Sequence, residues 1–295
     1  MLAYASLAIA VFGITWSAVF VRWAGVSGPA SAFYRVLIAG AVLLPWRAMR
    51  RDLQRPPRRE AWLAVAGGAF FAFDLLFFNT AVLETKVATA VLLANNAPVF
   101  VGLGSWFLFR NRPRAAFWWG LALALTGCAA IVLADATSRA HTGVGRQPGD
   151  VSGDLMAVTA AMFFAAYLLT TERVRGGMDT LTFSALSIVG STATLLVVCL
   201  VLGVPLTGYS ARSWAALAGL GLVSQLASYF AIAYALGHLP ATIMSVGLLA
   251  QLPLTAVVSV PLLGEPLTAP QIGGGLLVLA GIYVVTRRGA DRQRP

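Results

Sequence analysis

The chain contains ten long apolar runs, separated by short stretches that hold most of its charged residues. In order, these spans cover residues 2–24, 29–46, 61–83, 87–109, 115–134, 151–171, 180–202, 214–237, 241–263 and 270–286. Runs of roughly 18–24 apolar residues have the length of a helix that crosses the hydrocarbon core of a bilayer. The pattern therefore predicts an all-α integral membrane protein with ten transmembrane helices.

The composition excludes several other classes of protein. Of the 295 residues, 59% are apolar and 11% are charged, whereas soluble domains have about 25% charged residues. This excludes a soluble enzyme, a nucleic-acid binder and a disordered chain, and it makes the lipid bilayer the expected partner. The net charge of +10 does not indicate nucleic acid, because the arginines lie mainly in the joints between spans. Cys128 and Cys199 lie inside spans, and they form neither a disulfide framework nor a metal-binding spacing.

The distribution of basic residues predicts the orientation of the helices, because short cytoplasmic loops carry an excess of Lys and Arg. If the N-terminus is cytoplasmic, fifteen of the 21 basic residues fall on the cytoplasmic side and Arg35 lies within a span. The outer side then receives Arg22, Lys86, Arg139, Arg146 and Arg212. We therefore expect both termini to be cytoplasmic.

The two halves of the chain share features at a nearly constant offset, which predicts an internal duplication. The matching features are Asn96-Ala97-Pro98 with Gln251-Leu252-Pro253, Gly120 and Gly127 with Gly274 and Gly281, and Trp62 with Trp214. The predicted domains are a first five-helix repeat at 1–134, a periplasmic linker loop at 135–150 and a second five-helix repeat at 151–295. The second repeat ends in an Arg-rich cytoplasmic tail.

An odd number of spans in each repeat means that the two copies insert with opposite orientations. Inverted repeats of this kind are a common construction of secondary transporters, with the substrate site near the midplane between the repeats. If the two repeats exchange conformations, an outward-open cavity becomes an inward-open one. The sequence therefore predicts alternating access through a central cavity between two inverted five-helix repeats.

Four short motifs accompany this five-plus-five layout. They are Trp16-Ser17, the Pro29…Phe33-Tyr34-Arg35 opening of the second span, Asn96-Ala97-Pro98, and Leu263-Gly264-Glu265-Pro266-Leu267-Thr268. With them the chain resembles the drug/metabolite transporter superfamily, specifically its ten-helix EamA-type members, although the joint at 110–114 lacks the Gly-Glu pair usual in that family. In length and layout it is also similar to the YddG-type exporters of aromatic and other neutral amino acids. The resemblance implies export of small metabolites, with amino acids as the expected substrates, across a bacterial inner membrane.

Arg35 and Asp74 form the first pair of candidate site residues. A charged side chain inside a span is costly, and it usually faces a cavity or a partner helix. At 1.5 Å per residue, Arg35 lies about 9 Å and Asp74 about 14 Å below the outer end of its span, so the two side chains can meet. Two interpretations are open. The pair is either a structural ion pair, or a functional one in which Arg35 anchors a ligand carboxylate and Asp74 couples transport to protons.

Amide and hydroxyl side chains within spans form a second group of candidates. A proline inside a span frees a backbone carbonyl, and irregular backbone at membrane depth is tolerated beside a wet cavity. Asn95, Asn96 and Gln251 lie close before such prolines, and they either line a polar cavity or hold the bundle together by interhelical hydrogen bonds. Further candidates of this kind are Ser17, Asn79, Ser224, Gln225 and Ser245.

Aromatic residues within spans form a third group, which could line a pocket for an apolar or aromatic part of the ligand. They are Trp16, Tyr34, Phe163, Tyr167 and Tyr229. Packing in the helix bundle is the alternative for each of them. By contrast, Trp23, Trp46, Trp62 and Trp214 lie at span ends, where tryptophan is typical of the membrane interface.

The paired glycines of the fifth and tenth spans indicate a close approach of helices, either within the chain or at a dimer face. We expect a monomer or a weak homodimer. No metal-binding, nucleotide-binding or catalytic motif is present, so we expect no enzymatic activity, no metal and no cofactor, and a small-molecule substrate as the partner. The alternatives are an exporter of other small metabolites or drugs on the same fold, an integral-membrane lipid-modifying enzyme, or a channel or scaffold subunit.

Overall fold

The computed structural model describes residues 2–50, 56–84, 87–139, 150–254, 257–258 and 269–290, and every regular element in these ranges is helical. The first half contains α1 (Leu2–Thr15), α2 (Ser17–Ala24), α3 (Gly28–Met49), α4 (Arg58–Glu84), α5 (Val87–Ala94), α6 (Ala97–Phe109) and α7 (Ala115–Arg139). The second half contains α8 (Asp150–Arg175), α9 (Thr180–Val201), α10 (Ala211–Gly219), α11 (Ser228–Leu236), α12 (Ala241–Leu248) and α13 (Ala269–Ala290).

Within these described residues, nine helical stretches are long and apolar enough to cross a membrane, and Ala241–Leu254 is a shorter apolar helix. The predicted all-α fold is confirmed. Several helices extend beyond the predicted spans, for example to Met49, Arg139 and Arg175, because arginine is a good helix former that can continue a helix into water. Residues 140–149 of the predicted linker, the joint 263–268 and the tail 291–295 lie outside the described residues.

Prolines break two of the predicted spans at equivalent positions. The fourth span is interrupted by a turn at Asn95 and Asn96, just before Pro98, and the ninth by a turn at residues 249–250, just before Pro253. Proline lacks an N–H group and its ring clashes with the preceding turn. The sequence therefore accounts for both breaks.

Two further irregularities have no proline to explain them. The first span is interrupted at Trp16, between α1 and α2. The eighth span contains a π-helical segment, Leu220–Ala227, between α10 and α11. π-Helical turns are rare and are found frequently at functional sites.

The chain divides into two compact units, and neither coincides with a half of the sequence. The first unit comprises Met1–Thr80 and Ala166–Leu239. In it α3 packs against α9 and the π-helical segment, α1 against α11, and α2 against α10. Gly68 and Gly190 bring α4 and α9 together, since an added Cβ would lie 1.9 Å from the backbone oxygen of Ser187 or 2.1 Å from that of Val65.

The second unit comprises Ala81–Ala165 and Pro240–Pro295, and its largest helix pair is α7 with α13. A Cβ on Gly127 would lie 2.4 Å from the backbone oxygen of Gly274, and a Cβ on Gly120 would lie 2.7 Å from that of Gly281. The pairing order runs in opposite directions along the two helices, so they pack antiparallel. The glycine stripes predicted from the sequence are therefore a contact face within the chain.

The tryptophans predicted at the membrane interface are all exposed on the surface. Trp62 is the most exposed at 73%, and Trp23, Trp46 and Trp214 are each more than two-fifths exposed. An indole ring at the end of a span is amphipathic and suits the headgroup region of a bilayer.

Candidate functional site

Arg35 is the centre of a buried polar cluster in the first unit. It lies at the start of the third turn of α3, a helix that begins at Gly28 followed by a proline, which fits the first turn of a helix. Its side chain is only 6% exposed. Arg35 Nε donates to Gln225 Oε1 at 2.6 Å, Nη1 to Ser17 Oγ at 3.1 Å and Nη2 to the backbone oxygen of Ser224 at 3.4 Å.

The two irregular helical stretches place these partners. The break at Trp16 makes Ser17 the first residue of α2, where its hydroxyl meets Arg35. Ser224 and Gln225 lie in the π-helical segment, and Ser224 Oγ fixes that segment to α1 by donating to the backbone oxygen of Gly13 at 2.9 Å. The irregular backbone of the first and eighth spans is therefore what brings neutral oxygens to the guanidinium.

Two aromatic rings also lie close to the Arg35 guanidinium. Its Cζ lies 5.2 Å from the ring centroid of Tyr229 and 6.0 Å from that of Phe71. The rings of Phe71 and Tyr229 are 4.4 Å apart, and Tyr167 packs against both. A cation held over aromatic faces in this way is stabilised by their quadrupoles.

Asp74 lies on α4, three residues after Phe71, and is half-buried. It is near enough to interact electrostatically with both Arg35 and Tyr229. In the part of the chain that the structure describes, however, no ion pair within 4 Å joins Asp74 to Arg35. A direct structural ion pair, the first of the two interpretations, is therefore not present between them. The neighbours that bond to Arg35 are neutral.

A small cavity opens beside Arg35 in the same unit. Its wall is formed by Leu43, Phe71, Tyr167, Ser184, Ser187, Ile188, Ser191, Gln225, Leu226, Tyr229 and Phe230. Phe71 and Leu43 come from the first half of the sequence and the other residues from the second, so both halves contribute to the wall.

Three serines of α9 supply most of the polar wall of this cavity. Ser184, Ser187 and Ser191 follow one another at spacings of three and four residues, which places them on one face of a helix. Ser191 Oγ donates to the backbone oxygens of Gly68 and Ser187 at 2.8 and 2.9 Å. Ser184 Oγ is buried and has no hydrogen-bond partner among the described residues.

The structure brings together six of the predicted site residues. These are Ser17, Arg35, Asp74, Tyr167, Gln225 and Tyr229. Trp16 lies beside this group in the sequence, but its ring packs along its own span, 6.2 Å from Phe12 and 6.5 Å from Phe20.

Tyr34 and Asn79 belong to the first unit but have structural partners. Tyr34 donates from its hydroxyl to the backbone oxygen of Leu206, and its ring lies 4.8 Å from that of Trp214. Asn79 Nδ2 donates to the backbone oxygen of Gly28 at 3.1 Å, which ties the end of α4 to the start of α3. Neither residue is among those that line the cavity beside Arg35, and their place in a substrate site stays a prediction.

The remaining predicted residues lie in the second unit. Gln251 Nε2 donates to Asn95 Oδ1 at 3.3 Å, so the two broken spans are joined by their amides. Asn96 donates to the backbone oxygen of Leu92 in its own helix, at 2.8 Å. Ser245 donates within α12, and Phe163 lies on α8.

Phe71 and the three serines of α9 were not predicted as site residues. The available signal was the spacing of Ser184, Ser187 and Ser191, which gives one face of the seventh span three hydroxyls. No group of three or more His, Cys, Asp or Glu side chains in the described ranges is arranged to hold a metal ion.

Comparisons with known proteins agree with this fold. The model of the EamA-like transporter family matches residues 1–133 and 151–287. YwfM of Bacillus subtilis, described as an uncharacterized transporter, is 30% identical over 264 residues, which are 86% of this chain and 82% of YwfM. An uncharacterized transporter of Archaeoglobus fulgidus is 26% identical over 87% of both chains. A solved crystal structure aligns with this protein over 99% of both chains, with a TM-score of 0.80. The two sequences are 21% identical, so this similarity is evidence for the fold only.

Proposed function

The chain belongs to the EamA-like transporter family, and we propose that it is a secondary transporter that exports small neutral metabolites, above all amino acids. Its family and its relatives indicate a multi-pass membrane transporter rather than an enzyme. We place it in a bacterial inner membrane with both termini in the cytoplasm, as the distribution of arginines predicts.

The environment of Arg35 is the observation that supports a substrate with a carboxylate group. A guanidinium inside a membrane span attracts an anionic partner strongly, because little water is present to solvate it. The hydrogen-bonding neighbours of Arg35 are neutral. Tyr229, which is also neutral, is a further hydrogen-bonding neighbour, so among the described residues no group of opposite charge bonds directly to the guanidinium. A ligand carboxylate is the group that suits this site, since arginine binds carboxylates by paired N–H···O bonds.

Asp74 is the candidate partner for the ammonium group of an amino acid. It lies within the electrostatic reach of Arg35 without touching it, so a zwitterion can place its carboxylate on Arg35 and its ammonium toward Asp74. The same carboxylate is the candidate for proton coupling, with Arg35 and Tyr229 as the groups that face it. In both roles Asp74 interacts with a cation that arrives from outside the site.

Two inverted repeats would allow this site to alternate between the two sides of the membrane. Three observations support the duplication. The family model matches one segment in each half. The fourth and ninth spans break at equivalent positions, and the glycine contact of α7 with α13 is reciprocal, since Gly120 meets Gly281 and Gly127 meets Gly274. A site whose wall comes from both halves changes shape when the repeats move.

Counterflow of labelled amino acids into liposomes that contain only the purified protein tests this function. We expect exchange without ATP, and we expect Arg35→Ala to abolish it and Arg35→Lys to weaken it, because lysine keeps the charge but loses the paired geometry. Arg212→Ala is the control, since Arg212 is exposed and lies outside the cluster. Transport of neutral compounds without a carboxylate, unchanged by Arg35→Ala, would instead support the drug-exporter alternative.

A second measurement separates the two roles of Asp74. In Asp74→Asn, loss of proton-driven accumulation together with intact counterflow indicates proton coupling. Loss of both accumulation and counterflow, with counterflow retained for substrates that lack the amino group, indicates that Asp74 binds the substrate's ammonium group. Unchanged transport in both assays would remove Asp74 from the site.

A further inference from the structure

We propose that Ser184 is a specificity-determining residue, which hydrogen-bonds a polar group at the far end of the ligand from its carboxylate. The inference rests on the proposed function, because it takes Arg35 as the anchor of that carboxylate. It adds a second requirement for the ligand, which the family and the relatives do not assign.

The state of the Ser184 hydroxyl is the first observation. Its residue is 8% exposed, and Oγ has no hydrogen-bond partner among the described residues. Two other hydroxyl groups of the same helix are hydrogen-bonded within the protein. Ser191 Oγ bonds to Gly68 and Ser187, and Thr194 Oγ1 donates to the backbone oxygen of Gly190 at 2.8 Å. A buried hydroxyl that forgoes its hydrogen bond destabilises the protein, so Ser184 is better explained by a partner that enters the cavity.

The continuity of the cavity with the Arg35 cluster is the second observation. Gln225 and Tyr229 both contact Arg35 and line the cavity. A ligand with its carboxylate on Arg35 therefore has its other end in the cavity that Ser184 lines.

The aromatic part of the cavity wall determines which chemical groups the middle of the ligand can contain. Phe71, Tyr167 and Tyr229 pack against one another there, with ring centroids 4.4 to 6.1 Å apart. Their faces favour an apolar segment, and they offer no charge to bind a second ionised group. The ligand class is thus a carboxylate with an apolar body and an uncharged hydrogen-bonding group, such as a hydroxyl, at its other end.

Matched pairs of compounds that differ by one hydroxyl test this inference. In proteoliposome counterflow, L-tyrosine is compared with L-phenylalanine, and L-homoserine with L-2-aminobutyrate. In the wild-type protein we expect the hydroxylated member of at least one pair to be preferred about tenfold, the value of one net hydrogen bond. In Ser184→Ala that preference is lost, because the apparent affinity for the hydroxylated member falls to that of its partner.

Two controls distinguish this role from a structural one. Ser184→Ala keeps the thermal stability of the wild type, since it removes no hydrogen bond within the protein. Thr194→Val removes a hydroxyl from the same helix outside the cavity, and it leaves the preference unchanged. A Ser184→Ala protein that melts at a markedly lower temperature would show that the hydroxyl is structural and would overturn the inference.

The result also separates this inference from the proposed function. If both members of every pair are transported equally by the wild type, or if the preference persists in Ser184→Ala, the role of Ser184 is wrong while carboxylate transport stands. If no carboxylate is transported and Arg35→Ala has no effect, the proposed function is wrong and the inference is wrong with it.

Discussion

Arg35 donates a 2.6 Å hydrogen bond from Nε to Oε1 of Gln225, a residue 190 positions later in the chain. The bond links the second span to the π-helical segment of the eighth, and it leaves the guanidinium with a neutral partner. The cation is therefore held in place without being neutralised by the residue that holds it.

Replacing Gln225 by glutamate should convert this arrangement into an ion pair. A carboxylate at the same position would compete with the ligand for Arg35, so the substrate concentration for half-maximal counterflow should rise at least tenfold, while the protein remains folded. Substrate titration in proteoliposomes measures the first effect, and thermal unfolding measures the second. An unchanged apparent affinity in Gln225→Glu would show that Arg35 does not bind the substrate carboxylate.

Tyr34→Phe should change stability and leave substrate affinity alone. Its hydroxyl donates to the backbone oxygen of Leu206, and loss of one such bond costs about 1 kcal/mol. The phenylalanine ring keeps the contact with Trp214 that the tyrosine ring makes at 4.8 Å. Thermal unfolding and counterflow on the same preparation check both halves of the prediction. A large change in apparent affinity with normal stability would show that Tyr34 contacts the substrate.

Gly274→Ala should destabilise the second unit, whereas Gly273→Ala should not. A Cβ on Gly274 would lie 2.6 Å from the backbone oxygen of Gly127, while a Cβ on Gly273 would have no atom within 4 Å. Overpacking of this kind costs about 1–3 kcal/mol, and alanine alone gains about 1 kcal/mol over glycine in a helix. The two melting temperatures in detergent should therefore move in opposite directions. Equal shifts would contradict the tight contact of α7 with α13.

Asn95→Ala and Gln251→Ala should be coupled in a double-mutant cycle, because their amides bond to each other at 3.3 Å. Hydrogen bonds between membrane helices average about 0.6 kcal/mol in such cycles, and we expect a coupling of that size in the free energy of unfolding. Asn96→Ala combined with Gln251→Ala is the matched control. It should be additive, since Asn96 donates within its own helix. Coupling of the control pair but not of the first pair would contradict the assignment.

The sequence predicted the helices well, because hydropathy alone identifies segments that belong in a bilayer. The breaks before Pro98 and Pro253 follow from the chemistry of proline, although the predicted spans ran through both positions. The sequence identified Arg35, Asp74 and Gln225 because polar groups in apolar spans are costly.

The partners of these residues could not be predicted in the same way. Hydropathy does not determine the rotation of a helix about its axis, which is set by packing against its neighbours. Tyr34 and Arg35 are adjacent in sequence, yet one meets Trp214 and the other meets Gln225. The sequence does not distinguish Ser184 from other serines in the spans, because only the structure shows what surrounds its hydroxyl. The π-helical segment likewise has no proline or other marker in the sequence.

The π-helical segment Leu220–Ala227 gives the eighth span more residues than an α-helix with the same number of turns would contain. A π-helical turn winds more residues into one revolution than the 3.6 of an α-helix. If these wide turns tightened, residues on one side of the segment would rotate by about 100° for each residue released, relative to those on the other side. Ser224 and Gln225 would then swing away from Arg35 without unfolding any helix. A change of winding in this one segment would therefore be enough to separate the polar groups of the eighth span from Arg35.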